Sequence, residues 1–386
     1  MMKDRIKQLD SVRGLASLSV LLNHMYLATP IIPIVLWQSP FRILINGRGA
    51  VLLFFVLSGF VLSIPYFNGK QPTFFIYVVK RIFRIYIPYL FAISAAIIAC
   101  ALFASESTFT EGWVSDFWNV KPDLASVIDH LSLIGNIHTD YFNTVIWSLV
   151  HEMRISLLFP FILMVVGRLT FGLNLIICIL LTIVAGLNDL LLLQPSYGFH
   201  TSYFDTLHYL SMFIMGALLY KHKLEIANLY KQLSMRMKWI ILGCALLLYS
   251  YSAAIDRFFN FAYNNKIADY GITLAALTFV IFAIHSTTLS KLLLHKKILF
   301  LGKISYSLYL YHLTVLLSAM FVLDGLIPVW LIQLIVFVLA IVLAYVTWYL
   351  IENNAIKLGY FLTRNRSSNA HHSNQIANHK IQGDLQ

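Results

Sequence analysis

The apolar positions of this chain gather into runs near 20 residues long, separated by shorter segments in which charge concentrates. At about 1.5 Å of rise per residue, one such run crosses roughly 30 Å of hydrocarbon as a single helix. Ten runs are read, at about 12–30, 49–67, 85–104, 144–166, 171–188, 206–221, 239–256, 270–288, 304–323 and 328–351. Gly186, Asn188 and Asp189 interrupt the fifth, and the sixth is short. The pattern predicts an all-α polytopic membrane protein of about ten transmembrane helices. Composition agrees: of 386 residues 59% are hydrophobic and only 12% charged, about half the charge of an ordinary soluble domain. That balance excludes a water-soluble globule.

Charge then orients the spans. With a cytoplasmic N-terminus, the inner segments hold 22 of the 28 Lys and Arg, and the outer segments hold Arg42, Arg48, Lys121, Arg257 and Lys266. Arg154 lies within the fourth run. This asymmetry is the positive-inside bias with both termini cytoplasmic, so the net charge of +11 reflects topology and not a nucleic-acid partner. The charged start MMKDRIKQLD, with no small-residue cleavage site after the first run, reads as a retained first span. Residues 356–386 read as a polar, disordered cytoplasmic tail. The acidic outer loop 105–143, with Trp113 and Trp118, is either a cap over an outward-facing site or a solvated loop with interfacial aromatics. Cys100, Cys178 and Cys244 sit in apolar runs with no CxxC spacing and read as small core residues.

Ionisable groups inside hydrocarbon cost several kcal/mol unless paired or hydrated, so they are the functional pointers. In the first span Arg13 and His24 are eleven positions apart, about 1100° of helix, which places them within roughly 20° of one face with Asp10 and Ser17. The stripe sets a cation at the cytoplasmic lip and an imidazole roughly 16 Å deeper. A snorkelling arginine and a structural histidine are the plainer reading. In the fourth span His151, Glu152 and Arg154 occupy one turn, with Arg154 in reach of His151. A zinc HExxH signature would need histidine at 155, which is Ile155, so no metal site is expected. A structural ion pair is the rival reading. In the ninth span SYSLYLYH ends at His312, whose closeness to the basic 296–303 segment suggests a shallow position, with Tyr306, Tyr309 and Tyr311 as belt aromatics. His208, Asp324 and Glu352 rank lower. Arg81 and Arg84, three apart before the third span, offer two guanidinium forks suited to a phosphate, of a lipid or of a ligand.

In this order the motifs resemble the membrane-bound acyltransferase-3 family, which O-acylates sugars and other acceptors outside the cytoplasm. The likeness rests on Leu9-Asp10-x-x-Arg13-Gly14-Leu15-Ala16 with the spacing to His24, the Gly49–Gly59 segment, Arg81 and Arg84, Trp147-Ser-Leu-x-x-Glu152, and the run to His312. It spans residues 9 to about 352, a single acyltransferase module over 1–355 with no fused second domain. Where many relatives close the last span with Glu, a basic residue, Pro and Phe, this chain has Glu352-Asn353-Asn354-Ala355.

The resemblance implies an O-acyltransferase, most simply an O-acetyltransferase, of the bacterial inner membrane. It would hold no permanent cofactor, take acetyl-CoA or another acyl-CoA from the cytoplasm, and acylate a surface polysaccharide or its lipid-linked precursor. Arg13, Arg81 and Arg84 would hold the donor phosphates. His24 would act as base or be acylated itself, and Glu152 would orient an imidazole or position the acceptor. Asp10, His151, Arg154 and His312 would support substrate or structure, and Arg154, Asn23 and Ser148 are candidate oxyanion donors. A transporter or flippase for a sugar-containing substrate would use the same buried groups as a path, but no internal repeat is found.

Overall fold

The computed structural model describes residues 6–29, 39–104, 112–119, 121–253 and 264–364, and every regular element among them is helical. The helices are α1 (Lys7–Ala28), α2 (Gly47–Phe67), α3 (Phe74–Phe103), α4 (Leu124–Leu131), α5 (Thr144–Arg168), α6 (Phe171–Leu191) and α7 (Tyr203–Lys221). They continue as α8 (Lys223–Gln232), α9 (Met235–Tyr251), α10 (Asn264–His285), α11 (Thr287–Leu293), α12 (Lys296–Leu323) and α13 (Val329–Arg364). Each of the ten apolar runs coincides with one of the longer helices. Among the described residues seven helices, α2, α3, α5, α6, α10, α12 and α13, are long and apolar enough to cross a membrane. The others fall short for visible reasons. α1 carries Asp10, Arg13, Asn23 and His24, α7 carries Asp205 and His208, and α9 is only 17 residues long.

α13 continues past the expected boundary at residue 355 to Arg364. With Asn and Ala after Glu352 in place of a proline, nothing removes the backbone donor that would end the helix there. The expected tail beyond residue 364 lies outside the described residues. Inside α3, by contrast, Pro88 removes the N–H that Arg84 O would otherwise accept, and the preceding turn, Ile82–Tyr86, widens to a π turn that carries Arg84.

α1 packs along α12 and α2 along α7, with α6 on the far flank of α7, α9 on α10 and α13 on α12. Glycines permit the two tightest crossings. A Cβ at Gly302 would stand 2.5 Å from Asp10 O of α1, and one at Gly216 would overlap Val56 O of α2. Small residues of this kind let backbones approach where lipid supplies no hydrophobic drive. Ser11 Oγ to Leu293 O (2.6 Å) and Ser17 Oγ to Ser305 O (2.8 Å) add side-chain stitches beside the first crossing. The outer flanks of α6 and α13 expose Ile176, Ile179, Ile183, Leu334, Val338 and Val342, rows that suit hydrocarbon. Cys100 and Cys178 are buried as expected, whereas Cys244 is exposed, because α9 touches the bundle chiefly through α10.

Candidate active site

The α1–α12 contact brings His24 and His312 together, with ring centres 5.1 Å apart and His312 Nε2 3.1 Å from His24 Nδ1. The backbone sets both tautomers. His24 Nδ1 lies 3.0 Å from Val20 O and His312 Nδ1 lies 3.0 Å from Leu308 O. A carbonyl only accepts, so in neutral rings each Nδ1 carries the hydrogen. His24 Nδ1–H therefore donates to Val20 O and to the bare His312 Nε2. His24 Nε2 keeps its lone pair, with no protein partner among the described residues. His24 is half-buried and His312 fully buried. The shallow position expected for His312 is thus corrected: α12 begins at Lys296, which puts His312 about four turns inside the helix.

The tyrosines before it are not belt residues either. Tyr309 and Tyr311 are buried, and Tyr309 Oη donates to Val145 O (2.8 Å) while standing 2.7 Å from Ser148 Oγ. Tyr306 reaches Ile85 O (2.9 Å) beside the π turn. The sequence held a signal for this, since 306, 309 and 312 recur every three residues and share one flank of a helix. Ser148, an oxyanion candidate, is committed to Tyr309, and Asn23 lies against Gly47, where a Cβ would stand 2.9 Å from Asn23 Nδ2.

On the other side of this centre lie the arginines. Arg13 is close enough to Arg84, Arg81, Asp10 and Glu152 for each to act on its charge. Arg81 leans over the Tyr77 ring at 5.6 Å, and Tyr77 Oη donates to Ser156 O of α5 at 2.8 Å. Glu152 is half-buried, accepts from Ser58 Oγ of α2 at 3.3 Å, and also acts on Tyr306 and Tyr309. It therefore lies between the arginines and the tyrosine–histidine end. The side chain that His24 meets is His312, while Glu152 bonds Ser58. Glu352, ranked low from sequence, is buried and accepts from Ser307 Oγ at 2.7 Å.

His151 and Arg154 turn away from this centre, toward the outer loops. Arg154 donates through Nε to Ile134 O, through Nη2 to Gly135 O, and through Nη1 to Thr201 O, Ser202 O and Thr206 Oγ1, at 2.6–3.1 Å. Tyr203 stacks against the same guanidinium at 4.2 Å. His151 does not pair with Arg154 directly. Both meet at Thr206 Oγ1, and His151 Nε2–H donates to His200 O at 2.6 Å. Arg154 thus fastens loop 132–143 to loop 192–202, and its donors are taken by four carbonyls and the Thr206 hydroxyl.

A second polar cluster, missed in the sequence, lies at the same end. Asp269 receives Arg48 through Nε (2.6 Å) and Nη2 (2.8 Å) and His208 through Nε2 (3.1 Å). Thr182 and Tyr270 extend the chain from His208 Nδ1, and Lys266 pairs with Asp189. The 105–143 segment also reaches the histidine pair through Trp113, which stands 5.4 Å from the His24 ring, as a cap would and a solvated loop would not. Trp118, read as interfacial, is buried and donates to Phe142 O at 3.0 Å.

The arrangement holds a cationic group suited to phosphates and a paired imidazole with one bare nitrogen beside a loop tryptophan, and the family assignment agrees with it. The signature of the acyltransferase domain of the acyltransferase-3 family matches residues 6–349, and the chain belongs to that family. It is similar to O-acetyltransferase OatA of Staphylococcus aureus: strain MRSA252 is 25% identical over 386 residues, covering 93% of this chain and 59% of the relative. Strain NCTC 8325 / PS 47 is 25% identical over 375 residues, covering 91% and 57%. The chain spans under three-fifths of the length of these curated relatives. No solved structure gives a significant match.

Proposed function

We propose that this protein is an integral membrane O-acyltransferase, most simply an O-acetyltransferase, that moves an acyl group from cytoplasmic acyl-CoA to a hydroxyl of a surface polysaccharide or its lipid-linked precursor in a bacterial inner membrane. The single observation that carries the reading is the His24–His312 pair, whose bare His24 Nε2 is separated from the arginine group along α1. The charge asymmetry and the parallel run of α1 and α12 support ten spans with both termini cytoplasmic, the arginines at the inner end and Trp113 at the outer.

In this reading Arg13, Arg81 and Arg84 take the phosphates of the donor, whose extended arm carries the thioester roughly 16 Å to His24. His24 Nε2 accepts the proton of the acceptor hydroxyl as its oxygen attacks the thioester carbonyl. The imidazolium that forms shares its Nδ1–H with His312, which orients the ring as the third member of a nucleophile–base set does. Collapse expels coenzyme A as thiolate, which recovers the proton from His24. Glu152 lies between the two ends and positions the acceptor or the tyrosines.

The test is transfer of label from [14C-acetyl]-CoA to cell-surface glycan by membranes holding wild type, His24→Ala or Arg84→Ala. Loss of label with His24→Ala, and recovery of Arg84→Ala at raised donor concentration, support the assignment. No transfer by well-folded wild type from any acyl-CoA overturns it in favour of a transporter that uses the same buried groups as a path.

A further inference from the structure

Trp113 belongs to a short outer segment whose position is fixed from several sides. Trp118 anchors it: its indole N–H donates to Phe142 O at 3.0 Å, its ring stacks at 5.4 Å on Phe321 of α12, and its backbone takes a left-handed φ of 59°. A non-glycine residue there is uncommon and persists only where the surroundings hold it. Phe117 is buried and packs against Trp113 at 4.5 Å, and Asn119 Nδ2 closes the turn onto Ser115 O at 2.6 Å. So held, the half-buried Trp113 ring flanks His24 at 5.4 Å and is tilted 38° to it. Among the described residues its indole N–H has no hydrogen-bond partner, which leaves it open to a ligand group.

We infer that Trp113 is a specificity-determining residue that holds the acceptor: its indole face packs against the apolar C–H face of a pyranose, and its N–H is offered to a ring substituent, so that one hydroxyl is presented to His24 Nε2. The inference rests on the acyl-transfer reading and deepens it. A separation of 5.4 Å leaves no room for a sugar between the rings, so the indole is a wall beside the base. An aromatic wall with one polar tip is the composition expected of a site that fixes orientation with few polar contacts. Holding a hydroxyl in register with the base also removes much of the entropic barrier to attack. The donor phosphates are held at the far end of α1, so donor affinity is independent of this ring.

The experiment measures initial rates for full-length protein in proteoliposomes, with glycan from the host envelope and labelled acetyl-CoA each varied at saturation of the other, for wild type, Trp113→Ala and Trp113→Phe. Size-exclusion profiles matching wild type establish that both variants fold. The expected result is a KM for glycan raised at least tenfold in Trp113→Ala and restored to within about threefold in Trp113→Phe, with the KM for acetyl-CoA unchanged within twofold. An unchanged glycan KM, or an equal rise in the acetyl-CoA KM, overturns the inference while leaving the acyl-transfer reading intact. A wild type that transfers no label overturns that reading, and the role of Trp113 with it.

Discussion

Two buried polar regions of this bundle differ in what is left over. In the cluster around Asp269, both carboxylate oxygens are engaged by Arg48 and His208, and Arg154 likewise distributes its donors over five acceptors. At the α1–α12 contact, two imidazoles satisfy three of their four nitrogens, and the fourth, His24 Nε2, faces no protein group among the described residues. Charge matched on every side holds helices and loops in place, whereas a lone pair left open beside a structured neighbour is available for proton transfer. Both regions are costly to bury, and the unmatched valence tells them apart.

The most severe test of that contrast exchanges the two roles. His24→Ala is expected to lower kcat by about 10²–10⁴-fold, the usual contribution of a positioned base, with thermal unfolding in detergent unchanged. Asp269→Ala is expected to do the reverse. Removing one partner of a buried ion pair costs about 3–5 kcal/mol, so the variant should melt far earlier, and molecules that stay folded should keep the wild-type KM for donor. A stable but inactive Asp269→Ala protein would erase the distinction. A smaller effect follows at His312, where alanine removes the acceptor for His24 Nδ1–H. Activity should fall between about tenfold and a hundredfold, and less in His312→Gln, whose amide oxygen can still accept. The mildest is Arg154→Lys, which keeps the charge but gives up the fork. It should leave the donor KM unchanged, and limited proteolysis should cut loop 192–202 faster. Equal cleavage rates would mean that the loops do not depend on the guanidinium.

Much of the arginine end was legible in the sequence, because it is built within single helices. The stripe from Asp10 to His24 follows from helical periodicity alone, and Arg81 and Arg84 from their spacing. What escaped depends on contacts between distant segments. Arg48 and Asp269 read as residues at the edges of apolar runs and His208 as a lower-ranked histidine within one, and only the packing of α2, α7 and α10 turns them into one cluster. Arg154 was visible as an expensive residue, but its carbonyl partners belong to loops with no periodicity. Trp113 lies nearly ninety residues from the histidine it flanks. His312 was read as shallow from its closeness to the basic 296–303 segment, whereas the packing of α12 on α1, which the sequence does not show, buries it completely.

The close crossing of α1 and α12 also fixes a numerical register. Gly14 meets Gly302, Ser17 bonds Ser305 and His24 bonds His312, so every pair is offset by 288 residues along two helices running the same way. Each histidine stands ten residues beyond its glycine, about 15 Å along the axis. The two helices are thus indexed like the teeth of a rack. Inserting one residue between Gly302 and Ser307 would leave the crossing in place yet swing His312 by about 100° around its helix. The histidine contact is therefore far more tolerant of substitutions along its flanks than of any change in the count of residues between glycine and histidine.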